Sequence, residues 1–200
     1  MEEQQFSEKD SLELISKMIS TAKNTFYESG WGCLLWGFAN LFCFTLAYLA
    51  TTLRNFKLPF NPFLLMLVAF LLQMYFQNKE KKYKSATSYV QDGNKYVWIA
   101  FGISVFALNI GAGFSNIGYM VFPPLLIIFA VPTFVSGLLM KFTPFIFGGI
   151  VCWILGIAAF FMLGPQCYLL TAAGATAAWI IPGFILRARF LRNRKTEYGV

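Results

Sequence analysis

Six runs of apolar residues, separated by short polar segments, dominate the hydropathy pattern of this chain. Each run approaches the ~20 residues that an α-helix needs to cross a bilayer. The runs predict spans at 30–53, 58–76, 96–112, 119–140, 143–163 and 166–186. Few residues remain for other elements, so we expect an all-α integral membrane protein. The predicted fold is a six-transmembrane-helix bundle within residues 30–200, preceded by an N-terminal cytoplasmic amphipathic helix.

That N-terminal helix is predicted within residues 1–29. Its apolar residues recur at three- and four-residue spacing, as at Ile15, Ile19 and Phe26, which is the period of a helix with one apolar face. The segment carries six acids and three lysines, a net charge of −3. An interfacial helix held by acidic lipids usually has a basic polar face. We therefore expect this helix to pack on protein, against the cytoplasmic ends of the bundle.

Residues 77–95 form the one long polar segment between apolar runs. The segment contains five lysines against Glu80 and Asp92. Short cytoplasmic loops carry the Lys/Arg excess of membrane proteins, so this segment is predicted to be a cytoplasmic hairpin. Helix propensity stays good beyond the second span. We expect the helix to continue toward Val90 and to turn at Asp92-Gly93.

The two ends of the chain are predicted to lie on the same side as the hairpin. The tail at 187–200 holds five basic residues and one acid. With six spans, 14 Lys and Arg residues fall on the cytoplasmic side and 2 on the other. This bias predicts that both termini are cytoplasmic.

The stretch from Leu12 to Gly37 contains LELI, Ala22-Lys23, Phe26 and a closing LLWG. In these features it resembles the opening of a loose set of small bacterial multi-span membrane proteins. The resemblance covers under a fifth of the chain. It implies the bacterial inner (plasma) membrane as the location. It implies no activity, because the set has none that is established.

Composition argues against several classes of function. Only 12% of the residues are charged, about half the share in soluble domains. The chain has no histidine, and the predicted spans contain no Asp, Glu, Lys or Arg. Since ionisable groups inside the membrane mark proton relays, ion coupling and catalysis, we expect no enzyme and no cofactor. The net charge of +7 is interpreted as topology and contact with anionic headgroups rather than nucleic-acid binding.

The four cysteines lie in or beside apolar runs, without the short spacing of metal or redox motifs. No metal site is expected, and the thiols are predicted to be small core residues. In the fourth span, three prolines predict a kinked helix. The sixth contains TAAGATAA at 171–178, where Ala173 or Gly174 with the alanine four positions later gives the small-x-x-x-small spacing of closely packed helices. We expect it to be the most tightly packed helix.

A few polar side chains near the ends of the third and sixth spans have two interpretations. The residues are Asn109, Ser115, Asn116 and Thr171. Each can stabilise the bundle by bonding a neighbouring helix, worth ~0.6 kcal/mol. Alternatively they line a polar pocket beside the proline-containing fourth span, since interrupted helices are where transporters place substrate sites. A pocket without charge suits a neutral or lipid-like molecule.

Two functions follow from these patterns. The first is a non-enzymatic membrane protein whose cytoplasmic surface docks a soluble protein partner or senses the lipid bilayer. That surface would combine residues of the N-terminal helix, the hairpin and the tail: Ile15, Ile19, Phe26, Lys81, Lys82, Lys84, Arg189 and Arg192. The alternative is a small carrier or channel for a neutral or lipid-like molecule. The pattern is compatible with any oligomeric state.

Overall fold

A computed structural model describes residues 30–56, 58–81, 89–115, 117–162 and 164–198. Every regular element in these ranges is helical, which confirms the all-α prediction. Several sequence predictions lie outside the described residues: those for the segment 1–29, with Ile15, Ile19 and Phe26, and those for Lys82, Lys84 and Asn116.

Seven α-helices follow one another in the described ranges, with one 3-10 turn and one π-helical turn between them. In chain order they are α1 (Trp31–Thr52), α2 (Leu64–Lys81), α3 (Tyr89–Ser115), the 3-10 turn (Gly118–Val121), α4 (Phe122–Leu139), α5 (Thr143–Phe161), α6 (Gln166–Ala175), the π turn (Thr176–Ile180) and α7 (Ile181–Tyr198). The last three follow each other directly and form one long rod. The basic tail, predicted to follow the sixth span, therefore continues its helix as far as Tyr198.

Five segments are long and apolar enough to cross a membrane, as expected for a multi-pass membrane protein. They are Trp31–Thr52, Gly93–Ser115, Gly118–Leu139, Thr143–Phe161 and Gln166–Arg192. The remaining predicted span, 58–76, is the exception: its apolar helix covers only Leu64–Phe76. The helix starts late because the chain first turns at Asn61-Pro62. There the Asn61 carbonyl accepts from the Leu64 amide at 3.0 Å and its side-chain Oδ1 from the Phe63 amide at 3.0 Å.

The turn predicted at Asp92-Gly93 is wrong, because α3 begins at Tyr89 and passes through it. One glycine costs a helix only about 1 kcal/mol, and a long helix absorbs that cost because each added residue propagates an existing ladder. Asn94 also ties this part of α3 to α4: its Oδ1 accepts a hydrogen bond from the Ser136 hydroxyl at 2.6 Å.

The prolines of the fourth span have different roles. Pro123 and Pro124 lie in the first turn of α4, where the missing amide would have had no partner, so the expectation that they kink the helix is corrected. Pro132 alone lies inside α4, and it is almost fully buried. Because proline has no backbone N–H, Pro132 donates no hydrogen bond to the Ile128 carbonyl. Beside it, the Thr133 hydroxyl donates to the Phe129 carbonyl at 3.0 Å.

The core lies among α1, α4, α5 and the rod formed by α6, the π turn and α7. Here α4 and α5 pack as a hairpin, while α1 packs along α6 and the π turn. In contrast, α2 packs mainly on α1, and α3 on α4 and the 3-10 turn. Of the five segments long enough to cross a membrane, the one in the rod has the largest buried share, 56%, against 50% for Gly118–Leu139 and 0% for Gly93–Ser115. This ranking confirms the prediction that the sixth span is the most tightly packed.

Small residues allow the rod to approach its neighbours. Of the two predicted pairs, Gly174 and Ala178 are buried, whereas Ala173 is exposed. Gly148 of α5 faces Ala178 so closely that a methyl group on it would lie 2.7 Å from the Ala178 Cα. The spacing of the Gly174 pair therefore marks the face that packs inward.

Candidate functional site

The residues of the predicted polar pocket bond within their own helices. Asn109 Nδ2 donates to the Val105 carbonyl at 2.8 Å, and the Ser115 hydroxyl donates to the Gly111 carbonyl, both on the exposed surface of α3. Thr171 is buried in α6, and its hydroxyl donates to its own helix at 2.8 Å. The structure thus does not join these three side chains into one hydrogen-bonded group. The pocket stays a prediction.

Polar contacts between helices come from residues that the sequence analysis did not select. The Asn94–Ser136 hydrogen bond connects α3 to α4, and the Cys152 thiol of α5 donates to the Gly174 carbonyl of α6 at 3.4 Å. Both bonds join positions far apart in sequence. Helical periodicity gives no signal for such pairs, because it describes one helix at a time.

An aromatic cluster surrounds the buried side chain of Trp179. This ring lies in the π turn, 4.2 Å from Phe129 of α4, 5.8 Å from Trp98 of α3 and 6.2 Å from Trp36 of α1, measured between centroids. Such geometries stabilise aromatic pairs beyond the area that they bury. Trp179 therefore joins three helices to the rod. π turns are often found at functional sites, but the tryptophan of this one packs against other aromatic side chains of the protein.

Two arginines of α7 stack on aromatic rings at one end of the bundle. Arg187 places its guanidinium carbon Cζ 5.0 Å from the centroid of the Trp31 ring and 5.5 Å from that of Phe190. Arg189 places its Cζ 5.1 Å from the Phe142 ring. The aromatic faces thereby fix two guanidinium planes through cation–π contact. Arg192 is exposed on the same helix, and Lys81 is the last residue of α2.

Backbone geometry brings the start of α1 against α7 at this end. Gly30 has a φ of 72°, a conformation that favours glycine. A Cβ there would lie 2.8 Å from the Gly183 carbonyl oxygen and 3.1 Å from the Arg187 amide nitrogen. Nearby, Phe142, Phe145 and Leu186 form a buried apolar cluster. Three parts of the chain therefore meet next to the arginines: the first residues of α1, the α4–α5 connection and α7.

Two long stretches of the sequence, one of which contains these arginines, have no acidic residue. No Asp or Glu occurs in 30–76 or in 93–192, whereas the latter range contains Lys95, Lys141, Arg187, Arg189 and Arg192. Stacking on a ring leaves the in-plane N–H donors of a guanidinium available to an anion. The chemistry that this end offers is the binding of negative charge.

Cys43, Cys152 and Cys167 are buried thiols that form no disulfide, as predicted for small core residues. Among the described residues, no three His, Cys, Asp or Glu side chains gather in a way that could hold a metal ion. The arginine–aromatic end is therefore the candidate site that the described geometry supports best. No family model, no curated protein and no solved structure matches this chain.

Proposed function

We propose that this chain is a non-enzymatic multi-pass protein of the bacterial inner membrane with an interaction surface on its cytoplasmic side. The surface comprises the N-terminal segment, the hairpin at 77–95 and the basic end of α7. One observation carries the proposal: Arg187 and Arg189 stack on aromatic rings at one end of the bundle, and no Asp or Glu occurs between residues 93 and 192. A surface that binds by charge fits a docking or membrane-sensing role.

Six crossings are proposed, although the apolar part of α2 is short. Its apolar part, Leu64–Phe76, gives about 20 Å of helix against the ~30 Å hydrocarbon layer, a shortfall that local thinning of the bilayer can accommodate. If α2 crosses, the hairpin, Lys141 and the tail all fall on the side of the N-terminus. The positive-inside rule favours that arrangement.

Labelling of single added cysteines with a membrane-impermeant maleimide tests this topology in intact cells. Cysteines at Ser85 and Thr196 should be protected, and a cysteine at Asn116 should react. Opening the cells should make the first two reactive, which controls for burial. Labelling at Ser85 from outside would contradict the proposed orientation.

The N-terminal segment is proposed to dock on the cytoplasmic face of the bundle. Its net charge of −3 is complementary to the hairpin, with +3, and to the tail, with +4. The segment also joins the described chain at Gly30, in contact with α7 beside Arg187. Exposed ion pairs contribute only ~0.2–1 kcal/mol each, so the apolar stripe must hold the helix while charge selects where it lands. A weakly held helix of this kind can be displaced by a protein partner.

Hydrogen exchange of residues 11–28 in detergent measures this docking. The parent helix should exchange more slowly than a free peptide, and Ile19→Asp with Phe26→Asp should abolish the protection because the stripe can no longer be buried. Thr21→Asp with Asn24→Asp adds the same charge on the opposite face and should leave protection nearly unchanged. Equal protection in both double variants, or none in the parent, would refute docking through this stripe.

A further inference from the structure

The outward-facing seam between α1 and α7 presents a row of exposed aromatic rings and, at one end, a guanidinium group. Phe38 stacks on Phe42 along α1 with ring centroids 6.2 Å apart, and it meets Phe184 of α7 edge-on at 6.1 Å. All three rings are exposed. Nearer the start of α1, the Arg187 guanidinium covers the Trp31 ring, which is itself 58% exposed. The seam thus has exposed aromatic rings along its length and a positive charge at the end where α1 begins.

Apolar side chains on both sides of Arg187 indicate its level in a bilayer. Phe184 lies three residues before Arg187 and Leu191 four residues after it, about 4.5 Å and 6 Å along the helix axis. Both are exposed on α7. The outward apolar surface therefore continues past the arginine, and Trp31 beside it is an indole of the kind found at membrane interfaces. This places the guanidinium at the boundary between headgroups and acyl chains.

The charge around the seam selects among lipids. Arg187, Arg189 and Lys141 are not accompanied by any Asp or Glu within 93–192. A zwitterionic headgroup brings its own cation to such a site, whereas an anionic one brings net negative charge. Because guanidinium planes suit phosphate oxygens, the favoured ligand has a phosphate and no compensating amine.

We infer that the α1–α7 seam binds one anionic glycerophospholipid, with its phosphate on Arg187 and an acyl chain along Phe38, Phe42 and Phe184. The site deepens the proposed function and rests on it for the side of the membrane on which Arg187 lies. It does not require the N-terminal segment to dock. Lipid bound here would touch both the first helix and the last, and so hold the two ends of the bundle together.

Native mass spectrometry of the full chain in detergent tests the site. Dioleoyl phosphatidylglycerol and dioleoyl phosphatidylcholine are added separately, since they share acyl chains and differ in headgroup charge. The parent should retain phosphatidylglycerol preferentially. Arg187→Gln should lower that preference at least about tenfold, because it removes a charge-assisted contact. Arg187→Lys keeps the charge but loses the planar donors and should fall in between.

Arg54→Gln is the matched control, because it removes the same charge beyond the other end of α1. It should change the preference less than about twofold, since the two sites lie farther apart than a Debye length. Thermal melts of all variants, followed by circular dichroism, verify the fold. If Arg187→Gln fails to fold, Arg187→Lys carries the comparison with the parent.

Three outcomes would overturn the inference. Equal losses in Arg187→Gln and Arg54→Gln would mean that total charge, not the seam, selects the lipid. Full displacement of phosphatidylglycerol by millimolar inorganic phosphate would mean that the arginine takes a free anion. Unchanged lipid retention in Arg187→Gln, with faster hydrogen exchange at 11–28, would assign the arginine to carboxylates of the N-terminal segment. Labelling at Ser85 from outside would contradict only the orientation in the proposed function. The lipid preference measured by mass spectrometry would still stand.

Discussion

Replacing Gly148 by alanine is expected to destabilise the protein by about 2–3 kcal/mol. The added methyl group would lie 2.7 Å from the Ala178 Cα and 2.9 Å from the Ala177 carbonyl oxygen. Both neighbours are backbone atoms, so no side-chain rotation relieves the overlap. α5 and the π turn would have to separate, and the packing that holds membrane helices together would be lost along both.

Gly111→Ala is the matched control for this substitution. Gly111 lies four residues before the end of α3, and a Cβ there would meet nothing within 4 Å. The change should therefore be neutral or stabilising by up to about 1 kcal/mol, through helix propensity alone. Unfolding in detergent, followed by circular dichroism against denaturant, measures both. Equal effects of the two substitutions would show that the contact between α5 and the π turn is looser than described.

Trp179→Ala is expected to have the largest effect of any single side-chain deletion, about 3–5 kcal/mol. The ring is 5% exposed and contacts Trp36, Trp98 and Phe129 from three different helices. Its removal creates a cavity. A neighbouring ring could fill this cavity only by giving up its own present contacts.

Phe114→Ala provides the comparison for an aromatic deletion without burial. Phe114 is 90% exposed at the end of α3, so its loss should change stability by less than about 0.5 kcal/mol. The same denaturant titration applies, and the Trp179 variant should also show a changed tryptophan emission spectrum. A loss below about 1 kcal/mol for Trp179→Ala would contradict the central role of this ring.

Hydropathy predicted the helices well where the bilayer alone determines their limits. The spans drawn at 30–53 and 143–163 correspond to Trp31–Thr52 and Thr143–Phe161, because a long apolar run without a breaker has few alternatives to a helix in lipid. Local signals were less reliable where tertiary contacts compete. Asp92-Gly93 has the composition of a turn, yet it lies inside a helix that is anchored to α4 through Asn94.

The candidate site was predictable in its charge but not in its geometry. The basic composition of the tail is visible in the sequence, and Arg189 and Arg192 were selected from it. Arg187 was not, because its importance comes from Trp31, more than 150 positions earlier in the chain. No periodicity within one helix predicts such a contact. It requires the first and last helices to be adjacent, which only the folded bundle establishes.

The π turn also decides which way the end of the chain faces. The amide of Ile181 bonds the Thr176 carbonyl, five residues back, so the turn contains one residue more than an α-helical turn, the equivalent of a single-residue insertion. Everything after it is rotated by about 100° relative to an uninterrupted helix. The rod can therefore direct Gly174 at α4 and α5 and, further along, Gly183 and Arg187 at α1. A homologous chain that lacked this one residue could keep its hydropathy profile and every basic side chain, and still turn its arginine away from the indole.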